Sequence, residues 1–474
     1  MAHHGMNELD GIHAFCHYGH THEDGDRFGR LFSLSPLYTP PDTLRQLGAQ
    51  GGPMDGGSSF ARTDSVPVGQ LFFGQFIDHD ITLDVTSSLS SVADASDTPN
   101  ARTPVLDLDN VYGAGPEATP YLYHGSGDYA GVKLLTGADG TAANQPQDLA
   151  EHDLCRSPDG TAIIGDPRND ENGIISQLQL GMIRFHNAVV DTLHAEEGLE
   201  GEALFEEARK VTTWHYQTVI VEDYLPAICG QAVVDEIRSR GRHFFCPTTE
   251  TPFIPIEFAV AAYRFGHSMM PQRVQVQKNG NAYELFGATL GRGFSPLSDE
   301  DAVVDWHELL DTDANRNVQH AEELDTQLAT DLLDLPFIHE GESSLATRNL
   351  LRGQTFLLPS GEQVARTMGR DAAEIEQVTE AARDRAEPDV ELSGGTPLWY
   401  YILTEAEHIG RETSPGHFEA GEGLGPVGAR IVGETLYGLI ELDDHSFLGS
   451  NRNWRPDADG VGVRTLGEMM TYSS

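Results

Sequence analysis

The chain has 474 residues, with 74 Asp and Glu against 30 Lys and Arg, a formal net charge of -44. That excludes nucleic acid as a partner, because phosphate binding needs a positive footprint. The charge is compatible with a salt-screened setting and equally with an ordinary acidic surface, and the length with several average domains or one large helical body around a cofactor.

Four cysteines, Cys16, Cys155, Cys229 and Cys246, have no C-x-x-C spacing and are too sparse for a disulfide scaffold. The N-terminus MAHHGMNELDGIHAF lacks a basic stretch followed by an apolar run, so no cleaved secretion signal is expected. No segment is long and apolar enough to span a membrane, which points to a soluble protein whose compartment and oligomeric state stay open.

Residues 1–65, rich in Gly, His, Pro and Asp, read as an irregular arm wrapping a larger body over 66–474. Within it His17, His20, His22 and Asp24 fit either a metal site or a surface loop of histidines. In the next stretch, FGQFIDHD (Phe73 to Asp80), helical spacing stacks Gln75, Asp78 and His79 on one face beside Leu71, Phe72, Phe76 and Ile77. A carboxylate and an imidazole in apolar surroundings need partners, and a metal, a cofactor or a second polar cluster would supply them.

A Ser/Asp/Thr-rich loop, 84–102, leads into TPVLDLDNVYG (Thr103 to Gly113). Oxygen donors recur there at alternate positions, Thr103, Asp107 and Asp109 with the Val105 carbonyl between, a pattern suited to a hard cation such as calcium. In GDPRNDEN, Asp166 reads as the N-cap and Pro167 as the first turn of a long amphipathic helix with Ile174, Leu178, Met182, Phe185 and Val189 on its core face. Arg168 and Glu171 would then be one turn apart, either as an exposed ion pair or as site residues. A helix from about Glu202 to Tyr224 reads as structural, with His215 a satisfied core histidine. IPIEFAVAAYRFGHSMMP reads as one buried helix ending near Pro271, with His267 late on it. Asp311, Asp313, Asn315 and Glu322 copy part of an EF-hand spacing, but Arg316 stands where glycine belongs, so this pattern is a decoy. The segment LATRNLLRG, Leu345 to Gly353, follows, and beyond residue 370 no chemistry is legible.

The run FGQFIDHD resembles the distal-histidine motif Gly-Gln-x-x-Asp-His-Asp of the animal-type haem peroxidases, the superfamily of myeloperoxidase, lactoperoxidase and peroxidasin. GDPRNDEN, YRFGHSMMP, LATRNLLRG and the Thr103 to Asp109 loop are similar to further segments of that family, in the same order. The resemblance implies a mainly α, single-domain helical fold with little strand, haem b buried between the segments bearing His79, Glu171 and His267, and a bound calcium ion. It implies that His79 moves the peroxide proton, that Arg168 favours the departing oxygen, and that Gln75 holds water or a halide. His267 would be the axial ligand of the iron, with Asn349 accepting a hydrogen bond from its ring and Arg264 and Arg352 beside the haem. Asp78 and Glu171 would form ester links to the haem, and Asp80 would complete the calcium shell with Thr103, Val105, Asp107 and Asp109.

The expected reaction is oxidation of halides, thiocyanate or aromatic donors by hydrogen peroxide. Asn172 follows Glu171 where myeloperoxidase has a methionine that adds a third link, which favours bromide or iodide over chloride. A fatty-acid dioxygenase of the same fold is the competing expectation. Those enzymes place a tyrosine where this chain has Arg264, and Tyr263 on an α-helix would point about 100° away. A non-catalytic adhesion protein is a third, which gives no chemical reason for His79, Arg168, Gln75 and His267 to occur together.

Overall fold

A computed structural model describes residues 28–58, 60–84, 89, 91–93, 95, 98–247, 252–312, 317–386 and 390–472. From residue 28 the arm has structure of its own. Phe28–Gly29 pairs in parallel with Ile254–Pro255, and helix α1 (Pro41–Gly48) packs on residues 345–355. The buried Glu257 carboxylate accepts the Leu31 and Phe32 amides at 3.0 and 3.3 Å, so an acid deep in the body clasps the arm. The expected boundary after residue 65 falls inside a strand, Arg62–Pro67, which pairs antiparallel with His320–Glu322.

That strand sets the entry of α2 (Val68–Ile81): the Val68 amide donates to the Gln319 carbonyl at 2.9 Å. Apolar on all sides, α2 is buried on all sides. Among its residues only Gln75 and Asp78 are not buried, and both face a cavity. Phe73 and Phe76 pack edge-on against Tyr216, and Phe73 against Tyr224; each such buried ring contributes roughly 1.5–3 kcal/mol.

The start of the long helix differs from expectation. Asp166 caps only a short 3₁₀ turn, Pro167–Asp170, and α3 (Gly173–Glu197) begins afresh at Asn172, whose Oδ1 accepts the Ile174 and Ile175 amides, both at 3.0 Å. Arg168 and Glu171 therefore sit in the turn ahead of the helix, where side chains can diverge from an α-helical face. α4 (Gly201–Val219) lies along α3 and runs into a π-helical turn, Ile220–Tyr224, that brings Tyr224 against Gly74 of α2. His215 is satisfied on both ring nitrogens, by the Val463 carbonyl at 2.8 Å and the Val461 amide at 2.9 Å, and burial pushes it down to about 4.

The segment read as one buried helix is broken. A π turn (Glu257–Ala261) gives way to a 3₁₀ turn (Ala262–Arg264) and then to the single-turn α5 (Gly266–Met269). Side chains take its carbonyls: Arg264 Nε donates to Ala259 O at 3.0 Å, and Trp399 Nε1 to Arg264 O at 3.3 Å. Behind it pack α6 (Leu345–Thr355), α7 (Leu398–His408) and α8 (Pro426–Leu442), so the tail without visible chemistry forms the wall that holds this segment. The described strands form only two-stranded pairings, and no described helix is long and apolar enough to cross a membrane.

Candidate active site

Between α2 and the broken segment lies a cavity that opens to the surface. Its lining brings together Gln75, Asp78, His79, Arg168, Glu171, Arg264 and His267, seven residues singled out from three separate stretches of sequence.

On the α2 side His79 is 5% exposed, and its Nδ1 lies 2.7 Å from Asn169 Oδ1. Arg168 does not pair with Glu171. Its Nε and Nη2 donate to Asp166, the latter at 2.7 Å, while Nη2 and Nη1 donate to the carbonyls of His79 and Thr82 at 2.8 and 2.7 Å. The guanidinium thus braces the backbone of His79 as well as carrying charge into the cavity wall. Burial alone would raise Asp166, but Arg102 and Arg168 hold its carboxyl well below the usual range. Glu171 accepts a hydrogen bond from Gln75 Nε2, and burial, opposed by Arg168, pushes it up to about 8. Asp78 is raised by burial too, again against Arg168, and accepts from Thr82 Oγ1 at 2.8 Å. Two half-buried carboxyls, both raised by burial, therefore flank the cavity.

On the opposite wall His267 Nδ1 lies 2.8 Å from Asn349 Nδ2, and Asn349 Oδ1 accepts from Arg264 Nη1 at 2.8 Å. The expected acceptor oxygen of Asn349 is thus engaged with Arg264, and its amide nitrogen faces the ring. Arg264 is lowered to about 10 by burial and then by the nearby Arg352. Arg352 stands behind the lining, with Nη1 3.9 Å from Asp84 Oδ2. Because the backbone here is not α-helical, Tyr263 does not point away. It lines the same cavity, stacked on Phe258 with centroids 4.4 Å apart.

Beneath His79 is a second cluster. Carboxylate oxygens of Asp80, Asp107 and Asp109 lie within 4.8 Å of one another. Burial, then Asp109 and Asp107, raise Asp80 far above the usual range, and burial with Asp109 pushes Asp107 up to about 7. Asp80 Oδ1 and Thr103 Oγ1 are buried without a hydrogen-bond partner. Leu108 adopts φ 62°, a left-handed conformation a leucine takes only under constraint, and its amide donates to Asp80 Oδ2 at 3.3 Å. Crowded carboxylates, orphaned oxygens and a strained loop all fit a divalent cation.

Several residues here carried no sequence signal. Arg102 bridges the two clusters, donating to Asp109 Oδ1 at 2.8 Å and to Asp166. Tyr216 donates to Asp80 Oδ2 at 3.2 Å, and Asn169 touches His79 although it was only the residue after Arg168. The histidines 17, 20 and 22 with Asp24, and Asp313, Asn315 and Arg316 of the decoy, lie outside the described residues.

Comparison with known proteins adds an independent line. A sequence model of the family described as "Animal haem peroxidase" matches residues 90–387, more than half the chain; it takes in Arg168, Glu171, His267 and Asn349, and begins after His79. Dual oxidase 1 of Caenorhabditis elegans is 27% identical over 289 residues, covering 58% of this chain and 19% of that protein. Myeloperoxidase of Mus musculus is 26% identical over 178 residues, covering 36% and 24% respectively. The chain thus spans less than a quarter of either relative. In fold it is similar to peroxidase A of Dictyostelium discoideum, with a TM-score of 0.64 and 15% identity over 94% of this chain and 93% of that one. It is also similar to a fatty acid alpha-dioxygenase of Arabidopsis thaliana, with a TM-score of 0.59 and 16% identity over 92% and 76%.

Proposed function

The chain belongs to the animal haem peroxidase family, and from that premise we propose that it reduces hydrogen peroxide in the cavity between His79 and His267 and uses the oxidising equivalents on small anionic or aromatic donors. The observation that carries this reading is the convergence of two imidazoles, two protonation-prone carboxyls and two arginines on one cavity. Haem, when bound, supplies the redox chemistry.

His267 would hold the iron. Metal binding through Nε2 requires the proton on Nδ1, and so an oxygen opposite it. Turning over the Asn349 amide exchanges two atoms of nearly equal size, meets that need, and releases Arg264 for a haem carboxylate. Arg264 and Arg352, mutually repelling and buried, suit two such carboxylates. Facing them, His79 takes a proton from one peroxide oxygen and returns it to the other, and Arg168 adds a fixed positive charge partly matched by Asp166. Gln75 orders water or a halide.

Asp78 and Glu171 are proposed as ester links to the haem, each carboxyl being raised by burial against Arg168. Acid denaturation of enzyme that has turned over should leave haem on the peptides bearing Asp78 and Glu171, read by mass spectrometry; freely extractable haem would refute the links. Asn172 is committed to capping α3, so no third link is expected, and bromide, iodide, thiocyanate and phenols are proposed over chloride.

Calcium is proposed at Asp80, Asp107, Asp109, Thr103 and the Val105 carbonyl. Tyr263 in the cavity wall, with the likeness to a fatty acid alpha-dioxygenase, favours a second reading, fatty-acid oxygenation. The deciding experiment is an absorption spectrum of haem-replete protein followed by two assays. A Soret band with bromide-dependent halogenation of a phenol by peroxide supports the first reading, oxygen uptake on adding linoleate the second, and no Soret band defeats both.

A further inference from the structure

We infer that Asn169 and Gln179 are positioning residues that fix the tautomer of His79, with its proton on Nδ1 and its lone pair on Nε2. The catalytic meaning of this rests on His79 being the base proposed above; the tautomer itself does not.

The polarity of the chain is set at an atom that cannot donate. The Asn110 backbone carbonyl accepts from Gln179 Nε2 at 3.3 Å, which places Gln179 Oε1 on the other side of that amide. Gln179 Oε1 then accepts from Asn169 Nδ2 at 2.7 Å, which places Asn169 Oδ1 toward the histidine, 2.7 Å from Nδ1. An amide oxygen only accepts, so Nδ1 must carry the hydrogen. Reversing either amide would set donor against donor or acceptor against acceptor. Asn169, Gln179 and Asn110 are each 0% exposed, so no water is at hand to relieve such a mismatch.

The relay is anchored at both ends to the helix it serves. Asn110 Nδ2 donates to the Phe76 carbonyl, one turn before His79 on α2, at 3.3 Å. An unconstrained imidazole exchanges its proton between the two nitrogens, and only one form can accept a proton at Nε2. A chain that sets the polarity keeps all of the neutral histidine in that form, whatever its pKa.

Neutron diffraction from deuterated crystals of the resting holoprotein at pH 8 should show deuterium on His79 Nδ1 and none on Nε2; deuterium on Nε2 alone overturns the proposal. Asn169→Leu should slow the reaction of resting enzyme with peroxide by about 10- to 100-fold while leaving the donor KM unchanged. Asn169→Asp, which keeps an oxygen opposite Nδ1 but sets a second oxygen against Gln179 Oε1, should still show deuterium on Nδ1. Equal rates for Asn169→Leu and the parent, with His79→Ala slow, overturn the relay. If Asn169→Leu does not take up haem, Gln179→Leu and the neutron map decide. Deuterium on Nδ1 with His79→Ala as fast as the parent sustains the relay and defeats the proposed base instead.

Discussion

Replacing His267 with alanine should abolish peroxide turnover and shift or remove the Soret band, and imidazole added to the buffer should restore part of both. Among the described residues the replacement deletes the only imidazole on the broken-segment wall of the cavity, since His79 is the only other described histidine in its lining. His267 sits at the second residue of a single helical turn whose position is set from outside, by Asn349 against its ring and by Trp399 against the Arg264 carbonyl. Alanine gives up the Asn349 contact but leaves the Trp399 bond to the Arg264 carbonyl and the Arg264 bonds to Ala259 and Asn349 in place, so the defect should be a missing ligand in a folded wall, which is what rescue by imidazole distinguishes from collapse. Asn349→Leu should be milder, about 10- to 100-fold, because it removes only the group that orients the ring. If His267→Ala keeps both colour and rate, haem is held elsewhere and the site assignment fails.

How much of this was legible beforehand follows from the range of the interactions. The face carrying Gln75, Asp78 and His79 depends only on helical spacing within α2, and all three line the cavity. The 254–271 segment misled because its composition is that of a buried helix, while its break is enforced by Arg264 on Ala259 and by Trp399, 135 residues away. The shift of the helix start from Asp166 to Asn172 is a contest between two good caps that local rules cannot rank. Asn169 and Gln179 were invisible for a different reason: a lone amide in a turn or a helix has no pattern, and its meaning comes only from the atom it meets.

The largest effect away from the cavity should come from stripping the proposed calcium. In the ion-free chain Asp80, Asp107, Asp109 and Asp166 face two buried arginines, Arg102 and Arg168, so a divalent ion would balance the cluster. Asp80 and Asp107 have folded values raised above their unfolded ones, Asp107 to about 7. A raised carboxyl takes up a proton on folding, so the stability of the stripped chain is present at low pH and lost as pH rises from the ordinary carboxylate range through about 7. Calcium needs the ionised form, and its affinity should grow over that same interval. Bound at about 1,000 times its Kd it would contribute about 4 kcal/mol, or roughly 4 °C in Tm for a chain of this size. A chelator should therefore lower Tm strongly at pH 8 and little at pH 5. It should also slow the peroxide reaction, because Asp80 follows His79 directly and Arg102 links Asp109 to Asp166, the anchor of the arginine that holds the His79 carbonyl. Asp80→Asn should reproduce both losses without chelator. No chelator effect at either pH, or no calcium in exhaustively dialysed protein, would show that protons alone relieve the crowding.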